Sequence, residues 1–506
     1  MLETQLIYMK ALNKNQKYFL IIIASLVLTE LFSFFAYEFR PLNYLIGGII
    51  IILALVLSFK DLFYGFLIII IELLIGSQGY LFSIGTEPKR LSLRMGLWIV
   101  VMAVWFTKEL VYFIKHKHLG KSIKDFPYLK PLLLLVASIV LAALIGYWHG
   151  NATSLIVTEG KRWIYLITII PFYTLCASSE KRRWLIIALA AAGVWIAFKS
   201  FAMLFVFSHE MPLLDQLYAW TRYDLLGEIT LLPNKFTRVF LQSQIFAIPA
   251  FFISIGFFVK KIYSARWQLS LNSIVHLIAI SFFFSIILIS LSRSFWIGTV
   301  LGLLFGLILY IFCLRPKPRR VLVLAFYGAS VAILSAIFLV IAVRFPFPRP
   351  TSDISSSILT DRATEFEAGA ASRWSLLPVM LNSIKEQPIL GQGLGKTLTY
   401  NSSDPRVKQT TASGMYTTDA FEWGWFDLWL KLGLLGLAAY IWFLLAIAKS
   451  GWNLIKKQPE LAIPILASLV ALVALHFFTP YLNHPLGFGY LSILMALSQA
   501  GGKGLA

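Results

Sequence analysis

Cysteine is nearly missing from this chain: two residues, Cys176 and Cys313, in 506. Both fall near the inner ends of apolar stretches, which leaves none for the outer loops and excludes disulfides and thiol catalysis there. The two thiols are most simply packing residues. Charge is scarce as well, at 13% of residues against 58% apolar, with a mean hydropathy of +0.77. A chain of this composition carries more apolar surface than a water-soluble fold can bury, so it needs lipid as solvent. Acidic groups are the scarcer sign, 24 against 44 Lys and Arg, for a formal net charge of +20. That excess does not point to nucleic acid, because cytoplasmic anchoring against anionic lipid accounts for most of the lysines. Also missing is any repeat of fixed period or similarity between the two halves, which weighs against many secondary transporters.

What the chain does hold is long apolar runs. A spanning helix needs roughly 20 predominantly apolar residues, because its backbone polar groups must be satisfied inside the segment. About fourteen stretches qualify: 18–35, 44–59, 62–82, 95–114, 132–148, 163–177, 184–207, 239–259, 274–291, 295–314, 321–343, 425–448, 461–478 and 486–497. The second, sixth and last are short, and Pro171 interrupts the sixth, so the expected fold is an all-α polytopic bundle of 12 to 14 spans. The first stretch lacks a small-residue cleavage site and reads as an uncleaved span. If Lys10, Lys14 and Lys17 are inside, every second loop should be basic. The loops follow suit with Lys115, Lys117, Lys121 and Lys124, then Lys181 to Arg183, Lys260, Lys261 and Arg266, Arg315 to Arg320, and Lys456 and Lys457. Both termini are therefore expected on the cytoplasmic side.

Two segments break the hydrophobic pattern, 208–238 and the longer 344–422, and both are expected outside. The longer one, between spans 11 and 12, opens on RFPFPRPTSDISSS and then places Trp374, Leu377, Met380, Leu381 and Ile384 at helical spacing. This predicts a short surface helix despite Pro378. The outer segments hold few lysines but several arginines: Arg222, Arg238, Arg293, Arg344, Arg349, Arg362, Arg373 and Arg406. The planar guanidinium fork binds phosphate oxygens two at a time, so an anionic, phosphate-bearing ligand is one reading. The other is that these arginines meet lipid phosphates or loop carboxylates. Arg293 is the most constrained, at the tip of the SRS hairpin joining spans 9 and 10.

Four strings, TRVF at Arg238, SRS at Arg293, RWSLLPVMLNSIKEQPILGQGLG from Arg373, and EWGWFDLWLKLGLLGL from Glu422, stand in the order and spacing of a known family. The stretch from about Arg238 to Phe443 resembles the O-antigen ligase and O-antigen polymerase superfamily of membrane glycosyltransferases. The resemblance divides the chain into N-terminal helices and first outer loop (1–237), a ligase-like region (238–448) that includes the outer loop 344–422, and C-terminal helices (449–506). It implies transfer of a glycan from a polyprenyl diphosphate carrier to a hydroxyl on a lipid or glycan acceptor, at the outer face of the bacterial inner membrane, with no metal or nucleotide cofactor. Arg238 and Arg293 match the diphosphate-binding arginines, and Arg373 matches a supporting position.

One departure concerns the acceptor. Where ligases of the family usually carry a His, this chain has Glu422, with Asp419 one helical turn earlier. A carboxylate serves as general base when its surroundings raise its pKa toward the working pH; alternatively Glu422 caps a helix N-terminus. His209 and His484 are further outer imidazoles. GQGLGKT (391–397) lacks the first Gly of a phosphate loop and reads as a turn, and the sequons at Asn151 and Asn401 are of a kind common by chance. Glu72, Lys199 and Lys431 sit inside spans and need partners: one structural ion pair, or a proton pathway, which would favour a transporter or flippase for a lipid-linked saccharide. An envelope-assembly scaffold is the third class.

Overall fold

The computed structural model describes residues 13–85, 90–232, 236–263, 271–351, 368–404, 407, 411 and 413–499. Lys10, Arg266, Arg362 and Arg406 lie outside the described residues. The chain is mostly helical and forms a multi-pass membrane bundle. Its helices are α1 Lys14–Glu38, α2 Arg40–Lys60, α3 Leu62–Ile75, α4 Leu93–His116, α5 Leu129–Trp148, α6 Thr153–Trp163, α7 Ile169–Leu175, α8 Ser179–Ser208 and α9 Leu214–Tyr223. They continue with α10 Ala247–Tyr263, α11 Leu271–Ile289, α12 Arg293–Leu314, α13 Pro318–Arg344, α14 Ala368–Glu386, α15 Gly424–Leu454, α16 Pro459–His476 and α17 Pro485–Ser498. Among the described residues ten helices are long and apolar enough to cross a membrane, and α3, α17 and the residues Ser273–Ile289 of α11 form shorter apolar helices. Their outer faces are apolar, as lipid requires: Leu45, Ile49, Ile52, Val56 and Phe59 form an exposed stripe along α2.

Three apolar stretches depart from the expected uninterrupted helices. The third ends at Ile75, and the sixth is split by a 3-10 segment, Ile164–Thr168, between α6 and α7. The eighth begins as a strand. Gly227–Leu231 (β1) pairs antiparallel with Thr237–Leu241 (β2), so Arg238 stands in a hairpin and not at a helix start. The reason lies in TRVFL itself: Thr237, Val239 and Leu241 are buried while Arg238 and Phe240 are half-buried, the period-two pattern of a strand. Hydropathy alone sees only an apolar run. Two other short hairpins, Ser83–Ile84 with Leu91–Ser92 and Leu398–Asn401 (β3) with Met415–Thr418 (β4), complete the sheet content of the described residues.

The charges inside the helices are matched separately, so no two of Glu72, Lys199 and Lys431 share a pair. Arg94 grips Glu72 with two nitrogens, at 2.7 and 3.1 Å. Lys199 pairs with Glu30, which also accepts from Trp195 Nε1 at 2.9 Å. Lys431 meets Glu159 and Asp427. Each pairing meets the requirement that a charge out of water keep a partner, and removes the need that motivated a proton pathway.

The wall that carries the site is α12 against α16. Gly298, Gly302 and Gly306 repeat every fourth residue along α12, and a Cβ at Gly298 or Gly302 would lie 2.7 Å from the carbonyl oxygen of Ala471 or Ala467. The two backbones therefore touch, the close approach that small residues at this spacing permit in membranes. It fixes the N-terminus of α12, where Arg293 stands.

Candidate functional site

Arg238 is aimed by its hairpin. Its Nε donates to the Ser290 carbonyl at 2.8 Å, its Nη1 lies 3.9 Å from Glu228 Oε2 on the facing strand, and its guanidinium sits 4.9 Å over the Phe240 ring. Ser290 begins the turn between α11 and α12, so the same bond brings Arg238 to the SRS tip. There Leu291 takes a positive φ of 44°, Ser292 caps α12 through its backbone, and Arg293 is the first helical residue. The turn is tied by Ser292 Oγ to Ser294 Oγ at 2.9 Å, and Ser294 Oγ to Thr479 Oγ1 at 2.9 Å. Thr479 belongs to the link between α16 and α17, as does Tyr481, which is buried beside Arg238.

Arg373 arrives from the other side, on α14. This is the expected surface helix, but its buried face is Leu376, Met380 and Ile384, with Trp374 left exposed at its edge. It docks on the β3–β4 hairpin and on Trp423, whose Nε1 donates to the Arg373 carbonyl at 2.9 Å and whose ring meets Trp374 edge-on at 5.0 Å. Ser372 at the same end is held by Tyr400 and Ser402 at 2.9 and 2.7 Å. The Arg373 guanidinium then bonds the Glu422 carboxylate, both side chains remaining about half open to solvent.

The three guanidinium groups feel one another. Desolvation lowers the hold of Arg373 on its proton, and the charges of Arg238 and Arg293 lower it further. For Arg238 desolvation again leads, Glu228 and Tyr481 oppose it, and Arg293 adds to it. Cations held within each other's field cost free energy in the empty protein, and that cost is returned by a ligand bearing several anionic oxygens. Arg238, Arg293 and Arg373 thus lie within one another's electrostatic field, and Glu422 is bonded to the last of them.

The other sequence candidates fall differently. Glu422 does not cap a helix: the cap position is Trp423, without a side-chain bond, and α15 starts at Gly424. Gly424 is pressed so close to the His476 carbonyl that its Cβ would lie 2.1 Å away. With α15 starting at Gly424, Asp419 lies outside the helix, shares no helical face with Glu422 and enters through its backbone carbonyl, an acceptor for Lys431 Nζ at 2.9 Å. His209 is buried with both ring nitrogens on backbone carbonyls, of Phe205 and Phe345, at 2.8 Å each. His484 caps α17 by accepting from the Leu486 amide at 3.3 Å. Arg222, Arg344 and Arg349 have exposed side chains.

The GQGLG string is a turn, and its amides go to protein. Gly391, Gly393 and Gly395 all take positive φ, 76 to 81°. Here α15 is broken at Gly433 (φ 68°, ψ −177°). The carbonyls of Leu430 and Lys431 accept from Gln392 and Gly393 at 2.7 and 3.2 Å, while Leu434 and Leu435 donate to Pro388 and Ile389 at 3.0 and 3.3 Å. The loop thus satisfies the backbone groups that the break frees. Asn151 is not an available sequon side chain: its Nδ2 donates to the carbonyls of Gln392 and Leu394 at 3.1 and 2.8 Å. Sequence reasoning missed Glu228, Tyr481, Asn151 and Glu159 as partners of the site. For Glu228 the only signal was the alternation of polar and apolar residue types in EITL; its burial does not alternate as that of TRVFL does.

Residues 278–441 match the family model described as O-antigen ligase, a span that takes in Arg293, Arg373, Asp419, Glu422 and the glycine turn and begins after Arg238. No curated protein matches the chain.

Proposed function

We propose, from the match of residues 278–441 to the O-antigen ligase family model, that this chain acts as members of the O-antigen ligase and polymerase superfamily do, transferring a glycan from a polyprenyl diphosphate carrier to a hydroxyl acceptor. The observation that carries the reading is the convergence of Arg238, Arg293 and Arg373, with Glu422 attached to the third. In this reading Arg238 and Arg293 hold the diphosphate and Arg373 lies between donor and acceptor. The acceptor oxygen attacks the anomeric carbon and its proton passes to the Glu422 carboxylate. The carbon–oxygen bond to phosphate breaks, and the carrier diphosphate leaves with the electron pair. Fixed guanidinium groups aimed at the developing charge supply the stabilisation, so the reaction uses no metal. Asp419 acts in support, through the carbonyl that shapes the Glu422 segment. The active face is the outer face of the bacterial inner membrane, with both termini cytoplasmic, in keeping with the alternation of basic loops.

The test is reconstitution with an undecaprenyl diphosphate glycan and acceptor, followed by product analysis. Arg293→Ala should weaken donor binding and lower turnover about 10²–10³-fold, whereas Glu422→Gln should keep donor binding and lose about 10²–10⁴-fold in turnover. Movement of intact carrier lipid across the bilayer without a new glycosidic bond would sink the proposal in favour of a flippase. A deletion strain separates the two transfer types: single repeat units on the acceptor mean a missing polymerase, and long unattached chains a missing ligase.

A further inference from the structure

Lys431 lies two turns into α15, in the apolar part of the bundle, with 9% of its side chain exposed. Its ammonium makes three polar contacts, with Glu159 Oε1 at 2.6 Å, Asp427 Oδ1 at 2.9 Å and the Asp419 carbonyl at 2.9 Å, and lies 4.8 Å over the Phe421 ring. The second oxygen of each carboxylate is bonded elsewhere. Glu159 Oε2 accepts from the Gly395 amide at 3.0 Å, and Asp427 Oδ2 accepts from Asn483 Nδ2 at 2.6 Å. One ammonium therefore ties together α6, the glycine turn, α15, the α16–α17 link and the segment leading to Glu422. A buried ammonium must place all three of its N–H donors; two go to carboxylates, and the acceptor this chain supplies for the third is a backbone carbonyl three residues before Glu422. Asp419 to Trp423 form no helix or strand; burial of Phe421 and Trp423 anchors the segment on either side of Glu422, and the Lys431 bond fixes the backbone at its start.

We infer that Lys431 is a positioning residue for the acceptor side: its bond to the Asp419 carbonyl sets where Glu422 stands. The inference rests on the reading of Glu422 as the base. It also places the tether on the same α16–α17 link that braces the donor side, since Asn483 lies four residues from Thr479, the partner of Ser294. Lys431 thus acts through the chain and touches neither sugar nor phosphate.

Lys431→Met alone would strand two buried carboxylates, so the decisive variant is the neutral triple change Lys431→Met, Glu159→Gln and Asp427→Asn. It keeps acceptors for Gly395 and Asn483 while removing the tether, the charges and the cation over Phe421. In the full-length protein in lipid nanodiscs, amide hydrogen exchange over residues 415–423 should speed at least tenfold. Turnover should fall at least tenfold, with binding of undecaprenyl diphosphate within twofold of wild type. Unchanged exchange and turnover would overturn the inference. So would a parallel loss of donor binding, turnover and Tm, the mark of a merely structural role. If the triple variant does not fold, Lys431→Arg, which keeps the charge and moves the donor, decides by the same readouts. If wild-type protein transfers no glycan, the functional reading fails, and the exchange experiment decides the tether by itself.

Discussion

Arg94 and Glu72 meet in a two-pronged bond, 1% and 4% exposed, in the N-terminal part of the bundle. Arg238, Arg293 and Arg373 are instead gathered within one another's field, and Arg373 and its partner Glu422 are about half open to solvent. Both arrangements stand near apolar surroundings, and they solve opposite problems. A closed pair offsets the several kcal/mol that each ion loses on leaving water, and leaves nothing for a ligand. A set of like charges held by backbone carbonyls and a neighbouring strand raises its own free energy, and is lowered by an incoming polyanion. Burial and matching therefore tell the structural charges of this protein from the ones expected to act.

The strongest way to break that contrast is to remove one member from each side. Arg94→Met leaves Glu72 buried without its partner and should cost about 3–5 kcal/mol, read as a loss of folded protein or a large drop in Tm in detergent. The double change Glu72→Leu with Arg94→Met should recover most of it. Arg238→Met should do the reverse: transfer falls by about 2.7–4 kcal/mol in transition-state terms, while Tm stays within a few degrees. Equal loss of stability in the two single variants would erase the distinction. Next in size is the backbone that sets the site. A Cβ at Gly393 would lie 2.1 Å from the Gly146 nitrogen, at a φ of +81°, so Gly393→Ala should cost about 1–3 kcal/mol and lower expression and turnover together. The smallest effect belongs to Trp423→Phe, which keeps the ring packing and loses the bond to the Arg373 carbonyl. About 1 kcal/mol, a several-fold fall in turnover with unchanged Tm, would show that α14 is set by that bond; no change would hand the role to Leu376, Met380 and Ile384.

Much of this could be read from the chain alone, for identifiable reasons. Apolar length gave the helices, and of the residues in the ordered strings Arg238, Arg293 and Arg373 lie within one another's field, with Glu422 bonded to Arg373. Hydropathy could not show that TRVFL is a strand, because burial on alternate positions and burial on a helical face produce the same apolar sum over a short window. The partners of Lys199 and Lys431 were hidden by separation: Glu30 lies 169 residues from Lys199, and Glu159 lies 272 from Lys431. Asp419 would share a face with Glu422 only in a helix extended outward, whereas α15 begins at Gly424. The glycines of α12 were legible as small residues every fourth position, yet their meaning depended on knowing that α16 lies opposite.

Those glycines give the two ends of the candidate site different stiffness. Gly298 stands about 8 Å along the helix axis from Arg293, and the absent Cβ atoms let two main chains lie in direct contact, with no side chains between them to repack. The Arg293 end is thereby built like masonry, with its spacing set by backbone dimensions. The opposite end rests on indole contacts, one carbonyl tether and a half-solvated ion pair. Under the proposed function, one stiff jaw would grip a constant headgroup while a compliant jaw tolerated varied acceptors, and stiffening the second jaw would narrow the range of acceptors before it slowed the chemistry.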